Sequence, residues 1–468
     1  MRGRGQLLAT ALAVLAVAAG GVYLEREVGP RPLAAAAPGR APSGAWLCPH
    51  GGGPGWSVGV VLANPGEDPV RVRLTSLSGR RPGEPRLLEV PAGGTLRADV
   101  PAGAREAATY VEYFGGWVAA GWVARAGGKE HGVAAEACLG APARRLILPD
   151  GETERGEETS LVVMNPFAVD AVLTITLLTE EGPPVTTKEW SDVVLPARRA
   201  AVFRVNEVKL GERTVSALVD VGVGRVAAAS LVFSGEERQV RSAVGVPAAA
   251  RRLLLPGAGG SGQSELVVAA VGEERDARLG VSVLGPEGPA IAEGLEDEAQ
   301  APSSARTYPV LAQGAATFDV HAEAGAPGVA AVRRSTGPSG DQAAVPGAAV
   351  PAPAWVVLPA VAGRPAHPRL VLANPGSAPV AVTLVALPGA GAVAPPAPTV
   401  VQVPGGSTVA APAAFVEALP GAAVLAVAPE GTFVAASASN SLGREGVAGY
   451  AAALGVPVPE RWVREWRR

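Results

Sequence analysis

The chain is poor in lysine and in aromatic residues, and it contains only two cysteines. Lysine supplies just three of the 40 basic residues, and the formal net charge is −3. A nucleic-acid-binding protein needs a concentrated basic surface, so this charge balance argues against a nucleic-acid partner. Aromatic residues make up only 4% of the chain, whereas apolar residues reach 48% and glycine and proline number 60 and 44. This composition is typical of folded domains with many turns and a buried core.

The sequence also lacks the motifs of the common enzyme classes. It has no nucleophile elbow and no zinc-protease helix motif. The Gly-Gly-Lys sequence that ends at Lys129 is followed by Glu130, whereas a phosphate loop needs a hydroxyl residue there. Adjacent acids such as Glu180 and Glu181 lie beside turn residues, whereas paired catalytic acids come from different strands. We therefore expect a protein that is not an enzyme and that uses no cofactor or metal.

One segment recurs along the chain and indicates its architecture. The sequence Val-Leu-Ala-Asn-Pro-Gly at residues 61–66 returns unchanged at residues 371–376, and Val-Val-Met-Asn-Pro lies at residues 162–166. These spacings fit four copies of a unit of roughly 100 residues. The third copy has Ala270-Val271 where Asn-Pro is expected, so we expect its turn to be reshaped.

This repeat frame divides the chain into seven segments. They are a cytoplasmic tip with a transmembrane signal anchor (1–27), a Pro/Ala-rich stalk (28–44), repeat 1 (45–143), repeat 2 (144–250), a degenerate repeat 3 (251–353), repeat 4 (354–459) and a basic, Trp-containing tail (460–468). Because the spacers between repeats are only a few residues long, we expect a fairly stiff string of domains. The tail resembles the opening strand of a fifth unit. It would dock on the last domain, or its arginines would contact a partner such as an anionic envelope polymer.

Alternating apolar and polar residues predict strands within each repeat. In repeat 1, Val70, Val72 and Leu74 alternate with Arg71 and Arg73. This period of two is that of a strand with one wet face. About seven or eight such runs, separated by glycine and proline, occupy each unit, and no helix of any length is needed. We predict an all-β chain of four tandem immunoglobulin-like β-sandwich repeats after an N-terminal transmembrane helix.

The recurring Asn-Pro pair has a structural and a functional interpretation. The side chains of Asn64 and Asn165 can bond their own backbone in an Asx turn, and the following proline removes a donor from the strand ladder. We therefore expect the pair to end one strand and to direct the next. Contact with a ligand or a metal is the alternative.

The amino terminus predicts a membrane anchor. Residues 7–24 carry no charge and would form about 27 Å of helix, close to the roughly 30 Å hydrocarbon core of a bilayer. Arg2 and Arg4 precede this stretch, and the charges that follow it nearly cancel, so residue 1 is expected in the cytoplasm and the bulk of the chain outside. We expect a single-pass protein of the cell membrane whose partner, through residues 7–24, is the lipid bilayer. A signal peptide cleaved at residues 34–37 is the alternative and would make the protein secreted.

Both cysteines, Cys48 and Cys138, fall in repeat 1. Aligning Gly140 with Gly245 places Cys138 at the position of Ala243, near the end of the repeat. A disulfide would then join the first and last strands of one domain, and an exported compartment permits such a bond.

A zinc site is the alternative for these cysteines, because His50 follows Cys48 and His131 precedes Cys138. Cys48 and His50 are too close for the usual spacing of zinc ligands. His131 and Cys138 are an odd number of positions apart, so on a strand they would face opposite sides. The spacing therefore favours the disulfide.

Aromatic residues concentrate in repeat 1, where the candidates for ligand contact are Trp56, Trp117, Trp122 and Tyr113. Trp117 and Trp122 are an odd number of positions apart, so on strands they should face opposite sides. One ring would then fill the core, and the other would lie on the surface and stack on a sugar or a partner. Packing in the core is the favoured interpretation, and ligand contact is the alternative.

Several short motifs together resemble a known family. They are the Trp-Leu-Cys-Pro opening at Trp46, the Val-Leu-Ala-Asn-Pro strand and turn, the Val-Pro and Gly-Gly segments at residues 90–94 and 403–406, and the closing Gly-x-Pro. These motifs resemble an uncharacterised actinobacterial envelope family, the domain of unknown function 5719, over about residues 45–460. The resemblance implies an exported, single-anchor protein of repeated β domains with a cell-envelope role, and it transfers no catalytic residue. Repeat 3 departs from the pattern through its missing Asn-Pro.

Two functions fit these observations. The first is a non-enzymatic, membrane-anchored extracytoplasmic protein that acts as a scaffold or binding array, with an envelope glycan or another envelope protein as its partner. The alternative is a carbohydrate-binding accessory protein in envelope polysaccharide assembly, with the aromatic-rich repeat 1 as its reader.

Overall fold

The computed structural model describes most of the chain after the predicted stalk. It covers residues 44–466 except 236–238, 258–262, 273, 313, 324–327, 338–339, 361–365, 390–395, 419–420 and 442–448. Residues 43–468 form one compact unit. The predicted anchor at residues 7–24 and the signal-peptide alternative lie outside the described residues. Among the residues that are described, no helix has the length and apolarity needed to cross a membrane.

Antiparallel strands build the first two repeats. Repeat 1 contains β1 (Gly44–Cys48), β2 (Ser57–Asn64), β3 (Val70–Leu77), β4 (Arg86–Val90), β5 (Gly94–Val100), β6 (Ala108–Phe114), β7 (Ala119–Ala126) and β8 (Gly132–Ala137). Repeat 2 contains β9 (Arg145–Leu148), β10 (Glu158–Asn165), β11 (Ala171–Thr179), β12 (Val193–Leu195), β13 (Arg199–Arg204), β14 (Val215–Val223), β15 (Ala227–Ser234) and β16 (Gln239–Val244), with short 3-10 helices at Lys188–Trp190 and Val205–Glu207.

The last two repeats follow the same plan with small additions. Repeat 3 contains β17 (Arg252–Gly257), β18 (Gln263–Ala270), β19 (Ala277–Gly285), β20 (Gly288–Ile291), β21 (Glu298–Gln300), β22 (Ser304–Leu311), β23 (Ala316–Ala322), β24 (Val329–Thr336) and β25 (Gln342–Pro346). Repeat 4 contains β26 (Ala354–Val357), β27 (Ala366–Asn374), β28 (Val380–Leu387), β29 (Thr399–Val403), β30 (Ser407–Ala410), helix α1 (Ala413–Glu417), β31 (Ala423–Val427), β32 (Val434–Ser441), β33 (Gly449–Leu454) and β34 (Val456–Pro457). Helix α2 (Glu460–Trp466) follows.

Each repeat contributes two antiparallel sheets with the same connectivity. Numbered within repeat 1, the first sheet has the order β1-β6-β3-β4 and the second sheet has the order β5-β2-β7-β8. Repeat 2 reproduces both orders strand for strand, repeat 3 adds the hairpin strand β20, and repeat 4 adds β34 beside β26. The all-β prediction is confirmed.

The repeats do not form a string but close into a ring. The last long strands of the repeats lie side by side, because β8 contacts β16, β16 contacts β25, β25 contacts β33 and β33 contacts β8. Repeat 4 also bonds directly to repeat 1. The amide of Thr95 donates to the carbonyl of Pro388 at 2.8 Å, and its hydroxyl donates to the carbonyl of Leu387 at 2.6 Å. The prediction of a string was therefore wrong.

The second strand of each repeat explains the closure, because both of its faces are buried. Every residue of β2 except Ser57 is buried. One face of the second strand packs within its own repeat, and the other packs against the preceding repeat. Val267 packs with Ala243 of repeat 2, and Val371 packs with Val345 of repeat 3. A strand buried on both faces has a nearly continuous apolar sequence, as these strands do.

The four repeats point in the same direction around the ring. A parallel bridge between His131 and Gln239 aligns β8 with β16. In repeat 1 the long connections all lie at one end of the strands, which we call the loop face: 49–56, 78–85, 101–107 and 127–131. The opposite end, where the turn after Asn64 lies, we call the asparagine face.

The predicted disulfide joins Cys48 and Cys138 across repeat 1. A backbone hydrogen bond that every repeat makes fixes the position of the second cysteine, Cys138. The amide of Cys138 donates to the carbonyl of Ala120 at 2.9 Å, and in repeat 2 Gly245 donates in the same way to Ala228 at 2.9 Å. Cys138 therefore occupies the glycine position at the end of the last strand.

The predicted alignment of Cys138 with Ala243 was two residues out of register. In repeat 2 the position of Cys48 is taken by Leu148, whose Cγ would lie 3.4 Å from a Cβ added at Gly245. A side chain at the position of Gly245 points directly at the first strand of its repeat. In repeat 1 the disulfide therefore takes the place of the contact that Leu148 and Gly245 make in repeat 2.

A buried asparagine holds the turn between the second and third strands of repeats 1, 2 and 4. Asn64 donates through Nδ2 to the carbonyl of Asp68 at 2.8 Å and to a carbonyl of the facing strand β4, and its Oδ1 accepts from the amide of Gly66 at 2.9 Å. Asn165 and Asn374 make the equivalent bonds in their own repeats. Both polar atoms of each asparagine side chain, Nδ2 and Oδ1, therefore bond the backbone of the same repeat, as the structural interpretation of the Asn-Pro pair predicts.

In repeat 3, where Ala270 has no side-chain donor, a buried amide comes from Gln300 and bonds other carbonyls. It reaches back from β21, the fourth strand, and its Nε2 donates to the carbonyls of Val268 at 3.0 Å and Ser304 at 3.2 Å. Its Oε1 accepts from the hydroxyl of Tyr308 at 3.2 Å. Gln300 thus ties β18 and β22 together beside the position where the Asn-Pro pair is missing, and the expected reshaping of the turn stays a prediction.

The carboxyl-terminal tail is a helix, not the opening strand of a fifth unit. In helix α2, Val463 is buried and Trp462 is packed against the hydrophobic cluster that repeats 1 and 4 share. The tail therefore docks on the closing boundary of the ring.

Replacing Gln300 with alanine should lower the free energy of unfolding by about 1–3 kcal/mol, because buried carbonyls then lose their donor. Urea denaturation followed by tryptophan fluorescence measures this loss. Gln402→Ala, which removes the same amide from an exposed position of β29, is the matched control and should change stability by less than about 0.5 kcal/mol. Equal losses in the two variants would contradict the role of Gln300.

Candidate functional site

The aromatic residues predicted to contact a ligand are all buried. Trp56, Trp117, Trp122 and Tyr113 expose 8%, 4%, 1% and 6% of their surface. The parity argument that one of Trp117 and Trp122 exposes its ring was wrong, whereas the favoured interpretation, packing in the core, describes both. Trp117 lies in the turn before β7, so strand parity does not relate it to Trp122, and both faces of β7 are covered. None of the four rings is available for stacking on a sugar.

Three of the four residues of the zinc alternative are committed elsewhere, and the fourth, His131, is exposed. Both cysteine sulfurs lie in the disulfide. His50 is fully buried, with Nδ1 2.7 Å from the carbonyl of Gly51 and Nε2 2.9 Å from the hydroxyl of Thr109. Burial lowers the pKa of His50 to about 4, although its bond to Gly51 opposes part of the shift. This histidine is a neutral structural residue.

Beneath the loop face, an arginine links repeats 1 and 2. The guanidinium of Arg105 lies 4.5 Å from the ring centre of Phe233 and 5.5 Å from that of Trp56. Arg105 also forms a two-bond ion pair with Glu130, whose carboxylate accepts from the indole nitrogen of Trp56 at 2.7 Å. Trp56 therefore helps to fix Arg105 rather than a ligand.

An open cleft of about 590 Å³ lies beside this arginine. Its lining comes from repeats 1 and 2 and is mostly charged: Arg105, Gly156, Glu157, Glu158, Arg204, Asn206 and Glu207. The amide of Asn206 is used structurally, since it bonds the backbone at Thr159 and Glu157. Arg204 and Glu207 face solvent as a loose pair 3.4 Å apart, so they are free to exchange this contact for one to a ligand.

A buried ion network joins repeats 2 and 3 at the same depth. Asp150 accepts from Nε of Arg241 at 3.0 Å and from Nε of Arg334 at 2.7 Å. Glu152 pairs with both arginines, and Gln342 accepts from Arg241 at 3.0 Å. Asp150, Arg241 and Arg334 are almost completely buried. Burial alone would raise the pKa of Asp150, but the two guanidinium groups hold it below its usual value.

This network positions the repeats more than it stabilises them. Desolvating such charges opposes most of their mutual attraction, whereas removing one partner leaves an unpaired charge and costs about 3–5 kcal/mol. Arg334 of repeat 3 reaches both Asp150 and the carbonyl of Gly151 in repeat 2. The charges therefore specify how the two repeats meet.

Glu136, on the ring-lining strand β8, is buried without a partner. It exposes 2% of its surface, and among the described residues neither carboxylate oxygen has a hydrogen-bond partner. Burial raises the pKa of Glu136 well above its usual value, and the charge of Asp150 raises it further. The backbone amide of Val244 offsets a small part of the shift without forming a hydrogen bond of ordinary geometry. Glu136 therefore holds a proton well above the pH at which an exposed glutamate ionises.

The comparison with known families identifies one family. The model of a family of unknown function (DUF5719) matches residues 97–364. The chain belongs to this family. The match begins within β5 and ends after β26, so it includes the whole of repeats 2 and 3, and it is shorter than the predicted resemblance over residues 45–460. No curated protein matches the chain.

Sequence reasoning on this DUF5719 chain missed the charged residues beneath the loop face. A signal for them exists in the aligned repeats. Arg241 stands where the other repeats have Ala134, Ala343 and Ala451, as the common backbone bond at Cys138 and its equivalents establishes. A charge inside an otherwise apolar strand marks a position where two repeats meet.

Glu136→Gln should stabilise the protein at neutral pH and flatten its pH dependence. The folded state keeps a proton that the unfolded chain releases above pH 4.5, the ordinary pKa of the group. Stability therefore falls as the pH rises from 4.5 towards the raised pKa, by up to about 1.4 kcal/mol per pH unit. Urea denaturation at a series of pH values measures the slope.

The matched control for this variant is Glu89→Gln, at an exposed position of β4. It should leave the slope as it is in the parent protein. If Glu136→Gln also retains the parent slope, Glu136 is ionised in the folded state and the account of its burial is wrong.

Proposed function

We propose that the protein is a non-enzymatic, membrane-anchored extracytoplasmic protein of the cell envelope, and that the ring acts as its binding scaffold. The anchor is residues 7–24, which follow two arginines and carry no charge. The disulfide supports an exported location, because such bonds persist in oxidising compartments. The bulk of the chain is then on the outer side of the membrane.

The cleft beside Arg105 is the observation that carries the binding function. A closed ring brings the long connections of the repeats to one face, where loops bear recognition residues on a rigid frame. The cleft crosses the boundary between repeats 1 and 2, and its solvent-facing pair Arg204 and Glu207 offers both a donor and an acceptor. Its ligand is therefore a polar molecule or the polar surface of another envelope protein.

A role as a carbohydrate-binding accessory protein in envelope polysaccharide assembly is the second proposal. The charged lining of the cleft favours it, because hydroxyl-rich sugars bind through such donors and acceptors. The tryptophans of repeat 1 are buried and cannot contact a glycan, so recognition of a glycan would depend on the cleft.

The immunoglobulin-like description of the repeats also remains a proposal. As in immunoglobulin domains, the second strand pairs with the fifth and the third pairs with the sixth. The first strand, however, pairs with the sixth and not with the second, and the seventh pairs with the second and not with the sixth. The repeats are thus sandwich-like with a first strand that has changed sheet.

Arg204→Ala combined with Glu207→Ala should reduce binding of isolated cell-wall glycan at least fivefold, since each lost hydrogen bond to a ligand is worth about 1 kcal/mol. Co-sedimentation of residues 43–468 with the glycan measures retention. Repeat 1 alone is not a suitable protein for this assay, because its hydrophobic core includes residues of repeats 2 and 4.

The control removes another exposed ion pair of repeat 2, through Arg145→Ala and Asp220→Ala. This variant should bind as well as the parent. Retention that is the same in all three proteins would place any glycan contact outside the cleft, and no retention by the parent would eliminate the glycan proposal while leaving a protein partner.

A further inference from the structure

Arg333 is buried in repeat 3 without a carboxylate partner. It exposes 1% of its surface, and no described acidic residue forms an ion pair with it. Its Nη1 donates to the carbonyl of Ala316, and its Nη2 donates to the hydroxyl of Ser264 at 3.1 Å. The ring of Phe318 lies 4.2 Å from the guanidinium carbon. Buried arginines are normally paired, so this isolated charge requires an explanation.

Two hydroxyl groups near Arg333 are also buried and unpartnered. Ser335 lies directly opposite Ser264 in the strand ladder, on the same sheet face as Arg333. Tyr450 of repeat 4 packs in one cluster with Ala343 and Val345, the strand partners of Ser335 and Arg333. The hydroxyls of Ser335 and Tyr450 and the Nε of Arg333 all lack a hydrogen-bond partner among the described residues. Three donors are therefore available in one region.

These residues lie just beneath the loop face. Ser264 and Tyr450 are the second residues of β18 and β33, and Ser335 is the last but one of β24. Gly257 ends β17, and a Cβ there would overlap the guanidinium, so this glycine makes the space that Arg333 occupies.

The position of Arg333 is occupied differently in the other repeats. The equivalent residues are Trp122, Ser230 and Ser437, as the register against the second strand shows. In repeat 1 an apolar ring fills the space between the sheets. A lone cation at this position in repeat 3 therefore does not follow from the packing that the repeats share.

We propose that Arg333, Tyr450 and Ser335 form a binding site for a small oxyanion, a phosphate or a carboxylate, at the boundary between repeats 3 and 4. The anion neutralises the guanidinium and accepts from Nε–H and from the two hydroxyls, the donor types that carboxylate and phosphate oxygens prefer. Burial lowers the pKa of Arg333 to about 10, which leaves it charged at neutral pH. The site is separate from the cleft between repeats 1 and 2.

Isothermal titration of the full chain with sodium phosphate, and separately with sodium acetate, at constant ionic strength tests this site. The parent protein should bind at least one of the two anions at a single site. Binding of acetate identifies a carboxylate-bearing ligand, and binding of phosphate alone identifies a phosphate. Tyr450→Phe and Ser335→Ala should each weaken the affinity about tenfold, because each removes one hydrogen bond to a charged group.

Both substitutions remove hydroxyls that have no partner among the described residues, so the variants should remain folded where Arg333→Met would be at risk. Tyr110→Phe, in repeat 1, is the matched control and should bind as the parent does. Absence of binding of both anions, or equal affinity in the parent, Tyr450→Phe and Ser335→Ala, would overturn the proposal. Glycan retention through the cleft should be the same in all these variants, so the two proposals fail independently.

Discussion

Burial of both faces of the second strand in each repeat is the constraint on which the ring depends. One face completes the core of its own repeat, and the other is covered by strands of the preceding repeat. In an open string the exposed faces at the ends would leave strands such as β2 with a large apolar surface in water. Closure removes the last such surface, through the bonds that Thr95 makes with repeat 4. The disulfide, the asparagine turns and the docked helix α2 all act within this frame.

Closure also brings charged groups into a region with little water, and their arrangement differs around the ring. Between repeats 2 and 3 the buried charges are matched, since Asp150 and Glu152 face Arg241 and Arg334. Glu136 is unmatched and is neutralised by holding its proton. Arg333 has no acidic partner among the described residues and keeps its charge at neutral pH, and the proposed anion would compensate that charge. One physical requirement, that buried charge be compensated, is met in a different way at each place.

The sequence predicted the elements of the fold better than their assembly. Alternation in strands such as β3 and the Asn-Pro repeat predicted an all-β chain and its frame, because these signals are local. The ring was missed because periodicity indicates which face of a strand is apolar but not what covers it. The continuous apolar runs of β2 and β10 indicate that both faces of these strands are covered. The parity argument for Trp117 and Trp122 failed for the same reason. The ion network was missed because Asp150 lies 91 positions from Arg241 and 184 from Arg334.

The central claim is that the four repeats close into one ring, and small-angle X-ray scattering of residues 43–468 tests it most directly. A compact unit of this length should have a radius of gyration of about 22 Å. Four domains in a string would give roughly twice that value, because their centres would extend along a line. A radius near the lower value, unchanged over a range of protein concentrations, is the result we expect. A radius near the higher value would contradict ring closure.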